Sequence, residues 1–265
     1  MKATAWEFRY RMWLSFAIVA LGFAAPWTLW MPEWMPEWMH LGAFGIHTWG
    51  WLAFELGGLG ISSATGFTLV SALAIAAAAL GAALRVWGTA HLGTGTVFNA
   101  EMKAGAEDSS GEVLADGPYR YMRNPLYTGS YLAIVALTIL MPPSGAAVSL
   151  LLLAVFLLRL ILGEEAFLTP RLGEPYAAYL RAVPRLLPSL WPRVPASGPS
   201  PNAAPQWGRA LLGEIFPIGV LVSFAALSWQ YNPELLSQGV MISFGLSLVV
   251  RAFLVPKSEP SVPAA

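Results

Sequence analysis

Apolar residues dominate six stretches of this chain, and polar residues are concentrated in the segments between them. A hydrocarbon core takes roughly 20 helical residues to cross, so each stretch is a candidate transmembrane helix. The predicted spans cover residues 12–31, 66–87, 126–141, 146–162, 209–229 and 239–254. The pattern predicts an all-α fold, a polytopic helical membrane protein with about six transmembrane helices.

The third and fourth predicted spans are short and are joined by residues 141–145, Met-Pro-Pro-Ser-Gly. Proline and glycine in so short a connection indicate a tight turn. We therefore expect these two spans to form an antiparallel helical hairpin. The start of the third span and the end of the fourth then lie on the same side of the membrane.

The positions of the 15 lysines and arginines support this topology. With six spans and a cytosolic N-terminus, all of these residues lie on or next to the cytoplasmic side, as the positive-inside rule predicts. We expect an integral protein of a bacterial cytoplasmic (inner) membrane, with both termini in the cytosol.

Residues 31–65 are rich in tryptophan and include Met-Pro-Glu-Trp twice in succession, at 31–34 and 35–38. Tryptophan at this density is typical of the membrane interface. We expect an external interfacial or re-entrant segment. A seventh span is the alternative, but it would place the N-terminal charges outside.

The segments between the spans predict the domain organisation. Residues 194–208 are rich in Pro, Ser, Ala and Gly, a composition typical of a flexible linker. Before the linker, a short amphipathic helix near residues 174–182 would place Tyr176 and Tyr179 on one face. The expected units are an N-terminal helix with its external segment (1–65), a core (66–193), the linker (194–208), an appended transmembrane hairpin (209–255) and a disordered tail (256–265).

Composition supports the membrane assignment and excludes several kinds of site. The chain is 56% hydrophobic and 11% charged, with a mean hydropathy of +0.58. A formal net charge of +0 gives no basic surplus for nucleic-acid binding. The absence of cysteine excludes disulfides, thiolate nucleophiles and zinc–thiolate sites, and with three histidines we expect no metal centre.

The candidate chemistry is concentrated in residues 116–129, Asp-Gly-Pro-Tyr-Arg-Tyr-Met-Arg-Asn-Pro-Leu-Tyr-Thr-Gly, directly before the third span. Glu164 and Glu165 follow the fourth span, where acidic residues at a helix C-terminus oppose the helix dipole. The predicted hairpin brings both groups to the cytoplasmic surface. We therefore expect a polar ligand site where the helices meet the cytosol.

Four pieces of the sequence carry a family resemblance: residues 117–129, Glu164-Glu165, residues 172–179 (Leu-Gly-Glu-Pro-Tyr-Ala-Ala-Tyr) and residues 183–185 (Val-Pro-Arg). Together they resemble the C-terminal signature of the isoprenylcysteine carboxyl methyltransferase family and the related phospholipid methyltransferases. The resemblance covers about residues 84–188. The family more often has histidine at the position of Asn124.

This resemblance implies a membrane methyltransferase that uses S-adenosylmethionine and acts on a lipidic or small hydrophobic acceptor: an isoprenoid carboxylate, a phospholipid amine or a thiol. The implied catalytic residues are Arg123, Glu165 and Arg185. The implied cofactor-binding residues are Gly117, Pro118, Tyr119, Tyr121, Arg123, Asn124, Pro125, Tyr127, Gly129, Glu164 and Glu165.

The residue types suit that cofactor. Carboxylates hold ribose hydroxyls and an ammonium group, a guanidinium clamps a carboxylate, and aromatic faces accept the adenine and the sulfonium. Methyl transfer from a sulfonium requires mainly positioning and exclusion of water. A lipidic acceptor would enter sideways from the bilayer, so membrane lipids are the expected partners.

Two alternatives belong to other classes. One is an NADPH-dependent membrane reductase of the sterol reductase type, whose C-terminal region has a related Arg-x-Pro-x-Tyr layout; the other is a non-catalytic membrane scaffold. Binding of S-adenosylhomocysteine, of NADPH or of neither separates the three. Because the appended hairpin lies beyond the resemblance, we expect it to be dispensable for cofactor binding.

Overall fold

The computed structural model describes residues 2–24, 47–92, 113, 115–195 and 204–254. Helices account for 82% of these residues, which contain no strand, so the predicted all-helical fold is confirmed. The α-helices are α1 (Ala5–Arg9), α2 (Arg11–Ala24), α3 (Thr48–Gly58), α4 (Ser63–Leu92), α5 (Pro125–Leu137), α6 (Pro143–Ala182), α7 (Trp207–Gly213), α8 (Ile215–Leu227) and α9 (Pro233–Leu254). Short 3₁₀ helices cover Gly117–Arg120, Thr138–Leu140 and Ser228–Gln230.

Three described helices are long and apolar enough to cross a membrane: Ser63–Leu92, Pro143–Ala182 and Pro233–Phe253. A fourth span results if Trp207–Gly213 and Ile215–Gln230, which are bent by 70°, count as one. The remaining apolar helices, Arg11–Ala24 and Pro125–Leu140, are shorter. These helices support an integral membrane protein, but six spans are not confirmed. Part of the first predicted span, 25–31, lies outside the described residues.

The connections predicted to be external meet at one end of the helix bundle. The backbone N–H and the hydroxyl of Thr48 both donate to the Met141 carbonyl, at 2.8 Å each. The Trp49 ring lies 6.0 Å from the Tyr231 ring, between α8 and α9. The starts of α3 and α6 and the α8–α9 connection therefore share one end, and the polar motif lies at the other.

The α5–α6 connection is as tight as predicted. The 3₁₀ turn ends at Leu140, and α6 begins at Pro143. Proline suits the first turn of a helix because the missing N–H has no intrahelical partner there. Two residues thus separate the 3₁₀ turn from α6, and five separate α5 from α6.

α4 and α5 approach closely at two glycines. A Cβ atom on Gly129 would lie 2.7 Å from the Gly81 carbonyl oxygen, and one on Gly81 would lie 2.8 Å from the Gly129 carbonyl oxygen. Small residues allow such close approach between membrane helices. This crossing fixes the beginning of α5, which follows the polar motif, against α4.

The C-terminal hairpin packs against the helices that precede the linker. Val220, Phe224 and Leu236 lie in one buried cluster with Val70 and Ala136. The predicted domain boundaries stay a prediction. Residues 31–46 of the external segment, most of the linker (196–203) and the predicted tail lie outside the described residues. α3 lies in the part of the external segment that is described, and with 11 residues it is too short to cross a membrane by itself.

α6 is broken near its C-terminus. Gly173 has φ 59° and ψ −141°, a backbone conformation that glycine adopts without steric cost. The helical residues after this break include Tyr176 and Tyr179, whose rings lie 6.0 Å apart in a small buried cluster with Val183. The predicted short helix is therefore the terminal part of α6.

Candidate functional site

The polar motif folds into a compact turn before α5. Gly117 has φ 53°, and the His91 side chain lies where a Cβ would be, so glycine fits both the conformation and the space. Tyr119 N–H donates to the Asp116 carbonyl at 3.1 Å, and Pro118 and Tyr119 are buried. Proline near the start of the 3₁₀ helix pre-sets its backbone.

Residues 184–194, after α6, run along this turn. The Arg123 N–H donates to the Pro184 carbonyl at 2.9 Å, and the Arg193 N–H donates to the Arg120 carbonyl at 2.8 Å. These backbone hydrogen bonds hold segment 184–194 against the motif over its whole length. Two pieces of sequence that are about 60 residues apart thus form one structural unit.

Side chains reinforce the same contact. The Asn124 amide donates to the Arg185 carbonyl at 3.0 Å, and the Tyr179 hydroxyl donates to the Tyr119 carbonyl at 2.8 Å. Asn124 therefore acts here as a donor to backbone, a role that does not require an imidazole. Tyr179 thus connects the terminal part of α6 to the turn.

Glu165 is held by two arginines. Arg185 donates from Nε and Nη2 to the two carboxylate oxygens at 3.0 and 2.9 Å, and Arg123 Nη1 lies 3.0 Å from Oε1. The hydrogen bond to Glu165 raises the pKa of Arg185 above its usual value. The three predicted catalytic residues are thus brought together as one charge-assisted cluster.

Glu164 faces a different set of partners. The Tyr127 hydroxyl donates to its Oε1 at 2.8 Å, so the beginning of α5 lies beside the middle of α6. Glu164 and Glu165 thus lie within α6, which continues to Ala182, and the prediction that they stand at a helix C-terminus was wrong. Arg11, at the start of α2, is close enough for its charge to act on Glu164. The Arg11 guanidinium also lies 4.3 Å from the Phe8 ring centroid. The sequence indicated Arg11 only as a topological charge, so its place beside Glu164 was missed.

Two polar atoms in this unit are buried without a hydrogen-bond partner in the described part of the chain: the Tyr119 hydroxyl and Nε of Arg123. Burial raises the pKa of Tyr119 above its ordinary value, so its hydroxyl stays protonated. A buried polar group left unsatisfied costs about 1–3 kcal/mol. Both atoms are donors for which the described residues supply no acceptor, and this makes them candidates for contact with a ligand or a water molecule.

The other predicted residues divide into two groups. The Tyr121 ring lies 5.8 Å from the Trp87 ring of α4, a residue that the sequence did not single out. Pro125 is buried at the first position of α5, and Gly129 faces Gly81 and Arg85 of α4. Tyr121 offers an aromatic surface at the motif, whereas Pro125 and Gly129 contribute to helix packing.

A second charged cluster, which the sequence did not predict, lies inside the bundle. Arg85 donates from Nε to Oε2 of Glu214 at 2.5 Å and from Nη2 to Oε1 at 2.9 Å. Thr89 also donates to Glu214, and Ser130 accepts from Arg85. Glu214 is fully buried between α7 and α8, where the chain bends by 70°. Because Glu214 and Arg85 are 129 residues apart in the sequence, no local sequence pattern predicts that they pair.

Comparison with known families finds a match for the part of the chain that contains the polar turn and the two glutamates. The phospholipid methyltransferase family model matches residues 69–174. The match covers 106 of the 265 residues, and this segment is similar to that family. The expected resemblance is confirmed, and the match supports a membrane methyltransferase. No curated protein and no solved structure matches the chain significantly.

The phospholipid methyltransferase match includes most of α4, the polar turn, α5 and Glu164-Glu165. Segment 184–194, the N-terminal helices and the C-terminal hairpin lie outside it. Arg185 and Glu214 therefore reach the matched segment from parts of the chain that the family model does not include.

Proposed function

We propose that this protein is an integral-membrane methyltransferase that uses S-adenosylmethionine and methylates a lipidic or small hydrophobic acceptor. The observation that carries the proposal is the contact of Glu164 and Glu165 with Tyr127 and Arg123 inside the phospholipid methyltransferase segment. Acidic, basic and aromatic groups converge there at the end of an apolar hairpin.

The residues present fit the cofactor. Nε of Arg123, buried without a partner among the described residues, is a suitable donor to its carboxylate. A carboxylate has about four acceptor positions, so Glu164 can bind an ammonium or ribose hydroxyls while it accepts from Tyr127. The paired rings of Tyr121 and Trp87 offer a surface for the adenine.

Glu165 has a different role in this proposal. Its two oxygens already accept from Arg185 and lie against Arg123, so it orients both guanidinium groups and has less acceptor capacity left for the cofactor than Glu164 has. Arg185, the more exposed of the two arginines, is left at the edge of the cluster, where it can meet an anionic acceptor.

The cofactor supplies an activated methyl group, so the chain's own residues have to position the partners and exclude water. The Glu165–Arg123–Arg185 cluster fixes the motif relative to α6. Segment 184–194 covers the motif on one side. A carboxylate acceptor needs no proton removal, whereas an amine or a thiol gives up a proton to a base or to solvent.

The test is equilibrium binding of S-adenosylhomocysteine to the purified protein in nanodiscs. We expect Glu164→Gln to weaken affinity about 10- to 150-fold, because one charge-assisted hydrogen bond is worth about 1.5–3 kcal/mol. Glu165→Gln should weaken it as well, by releasing Arg123. The matched control is Glu174→Gln, since Glu174 is exposed and pairs with the exposed Arg181.

Several outcomes would contradict the proposal. Failure of the parent protein to bind S-adenosylhomocysteine would refute it, and binding of NADPH instead would favour the reductase alternative. Equal affinity of the parent, Glu164→Gln and Glu165→Gln would refute the site. Turnover of labelled S-adenosylmethionine with extracted lipids, isoprenoids and small thiols would then identify the acceptor class.

A further inference from the structure

Segment 184–194 carries an apolar patch on the outside of the site. The patch consists of Leu186, Leu187, Leu190 and Trp191, and Leu187, Leu190 and Trp191 are 79%, 89% and 77% exposed. Contiguous exposed apolar patches are uncommon on soluble surfaces and mark interaction sites. Backbone hydrogen bonds on the opposite side of the segment hold it to the motif, so the patch is displayed by a fixed support.

The patch lies level with the beginning of an apolar helix. The Ser189 N–H and hydroxyl both donate to the Tyr121 carbonyl, at 3.0 and 3.1 Å. Thr128, in the first turn of α5, lies 3.4 Å from the Leu186 carbonyl through its hydroxyl. The segment therefore runs beside the boundary between the polar motif and the apolar hairpin.

We propose that the patch at residues 186–191 is a lipid-binding surface that inserts into the headgroup and upper acyl region of the bilayer. Leucine and tryptophan flanked by arginine are typical of interfacial segments, and here Arg185 and Arg193 flank the patch. Pro188 and Pro192 lack the N–H groups that a pairing strand of a partner protein would need.

The segment that carries this patch also contains Arg185, which contacts the candidate site. The same segment contributes the Arg185 guanidinium to Glu165 and the Arg185 carbonyl to Asn124. Insertion of the patch holds the segment at the bilayer surface and places the edge of the charged cluster next to acyl chains. That this is also the route of a lipidic acceptor rests on the proposed function.

The absence of cysteine permits a direct test. Single-cysteine variants Leu187→Cys and Leu190→Cys carry a nitroxide label in nanodiscs of phosphatidylcholine and phosphatidylglycerol. Power saturation compares collisions with oxygen and with a water-soluble nickel complex. The controls are Glu174→Cys, exposed on the terminal part of α6, and Leu151→Cys, exposed on its apolar part.

We expect the labels at 187 and 190 to favour oxygen, at depths of about 5–10 Å below the headgroups, between the two controls. Adding Leu187→Glu to the Leu190→Cys variant should move its label toward the aqueous value, while the label at 151 keeps its depth. Labels at 187 and 190 that are as aqueous as the one at 174 would overturn the inference. Aqueous labels together with normal S-adenosylhomocysteine binding would refute the lipid surface alone. Labels at the expected depth together with no S-adenosylhomocysteine binding would refute the proposed function alone.

Discussion

Glu165 and Glu214 are both held bidentately by an arginine, yet they lie in different surroundings. Glu214 has a side chain 1% exposed and meets Arg85 among packed helices. Glu165 is 13% exposed, and its partner Arg185 is 40% exposed. The same chemical pair therefore holds the bend between α7 and α8 inside the bundle. At the motif, it leaves the exposed Arg185 at the edge of the charged cluster, where a ligand can reach it.

The energetic consequences of the two settings differ. Removing one partner of a buried pair leaves an uncompensated charge and costs about 3–5 kcal/mol, whereas an exposed pair contributes about 1 kcal/mol or less. Substitutions at Glu214 should therefore act first on folding. Substitutions at Glu165 free the exposed Arg185 at little cost but also leave Arg123, 12% exposed, without its carboxylate, so they should act on both folding and ligand affinity.

The largest effect is expected for Glu214→Ala, which leaves the Arg85 guanidinium without its carboxylate partner among α4, α5 and α8. We expect a loss of about 3–5 kcal/mol in the free energy of unfolding, measured by denaturation in mixed micelles. Replacing both residues, Arg85→Leu with Glu214→Leu, should restore much of that loss. A Glu214→Ala variant as stable as the parent would remove the distinction between the two clusters.

This prediction also changes the expectation for the C-terminal hairpin. Truncation after Pro195 deletes Glu214 together with Val220, Phe224 and Leu236 of the shared core cluster. The sequence suggested that the hairpin is dispensable because it follows a flexible linker and lies beyond the family motifs. We now expect the truncated chain to lose stability as Glu214→Ala does, so that any loss of cofactor binding follows from unfolding.

An intermediate effect is expected for Gly129→Ala, at the α4–α5 crossing that connects the motif to the Arg85 cluster. The added methyl would lie 2.7 Å from the Gly81 carbonyl oxygen, and overpacking of this kind costs about 1–3 kcal/mol. The control is Gly245→Ala in α9, where nothing lies within 4 Å and alanine should stabilise the helix by about 0.5–1 kcal/mol.

The measurement is the free energy of unfolding alongside S-adenosylhomocysteine affinity. If Gly129 acts by packing, Gly129→Ala lowers stability, and its folded fraction binds with nearly the parent's affinity. A stable variant that has lost affinity would instead place Gly129 in contact with the cofactor, as the family resemblance implied.

The sequence predicted those features that depend on local pattern. Apolar runs predicted α4, α6 and α9, because hydrophobic length alone decides whether a helix can cross a bilayer. The short proline-containing connection at 141–145 predicted the hairpin, and the hairpin in turn brought Glu164 to Tyr127. The resemblance predicted the residues of the Glu165 cluster.

Other features depend on which distant residues pack together, and hydropathy carries no information about that. The Arg85–Glu214 pair joins helices 129 residues apart. Trp87 reaches Tyr121 only because α4 packs behind the motif. The count of six spans also relied on apolar length, whereas α2 and the helix at Pro125–Leu140 are shorter than a span and a 70° bend divides α7 from α8.

The smallest effect is expected for a third carboxylate–guanidinium pair, between Glu7 of α1 and Arg159 of α6. Arg159 donates from Nε and Nη2 at 3.0 and 2.9 Å, and this hydrogen bonding, with the Thr4 N–H, lowers the pKa of Glu7 to about 2. A lowered pKa means that the pair stabilises the folded state above the ordinary pKa of 4.5, and that this contribution disappears as the pH falls toward 2.

We expect Glu7→Gln to cost about 0.5–1 kcal/mol between pH 5 and 7, as for other partly exposed pairs. The difference from the parent should shrink steadily below pH 4.5, where the unfolded chain takes up the proton first. Denaturation curves of the parent and Glu7→Gln across this range measure it, with Glu174→Gln as a surface control. If Glu7→Gln instead lowered the free energy of unfolding at pH 7 as much as Glu214→Ala does, solvent exposure would not determine how much each of the three pairs stabilises the fold. The contrast between Glu165 and Glu214 would then require another cause.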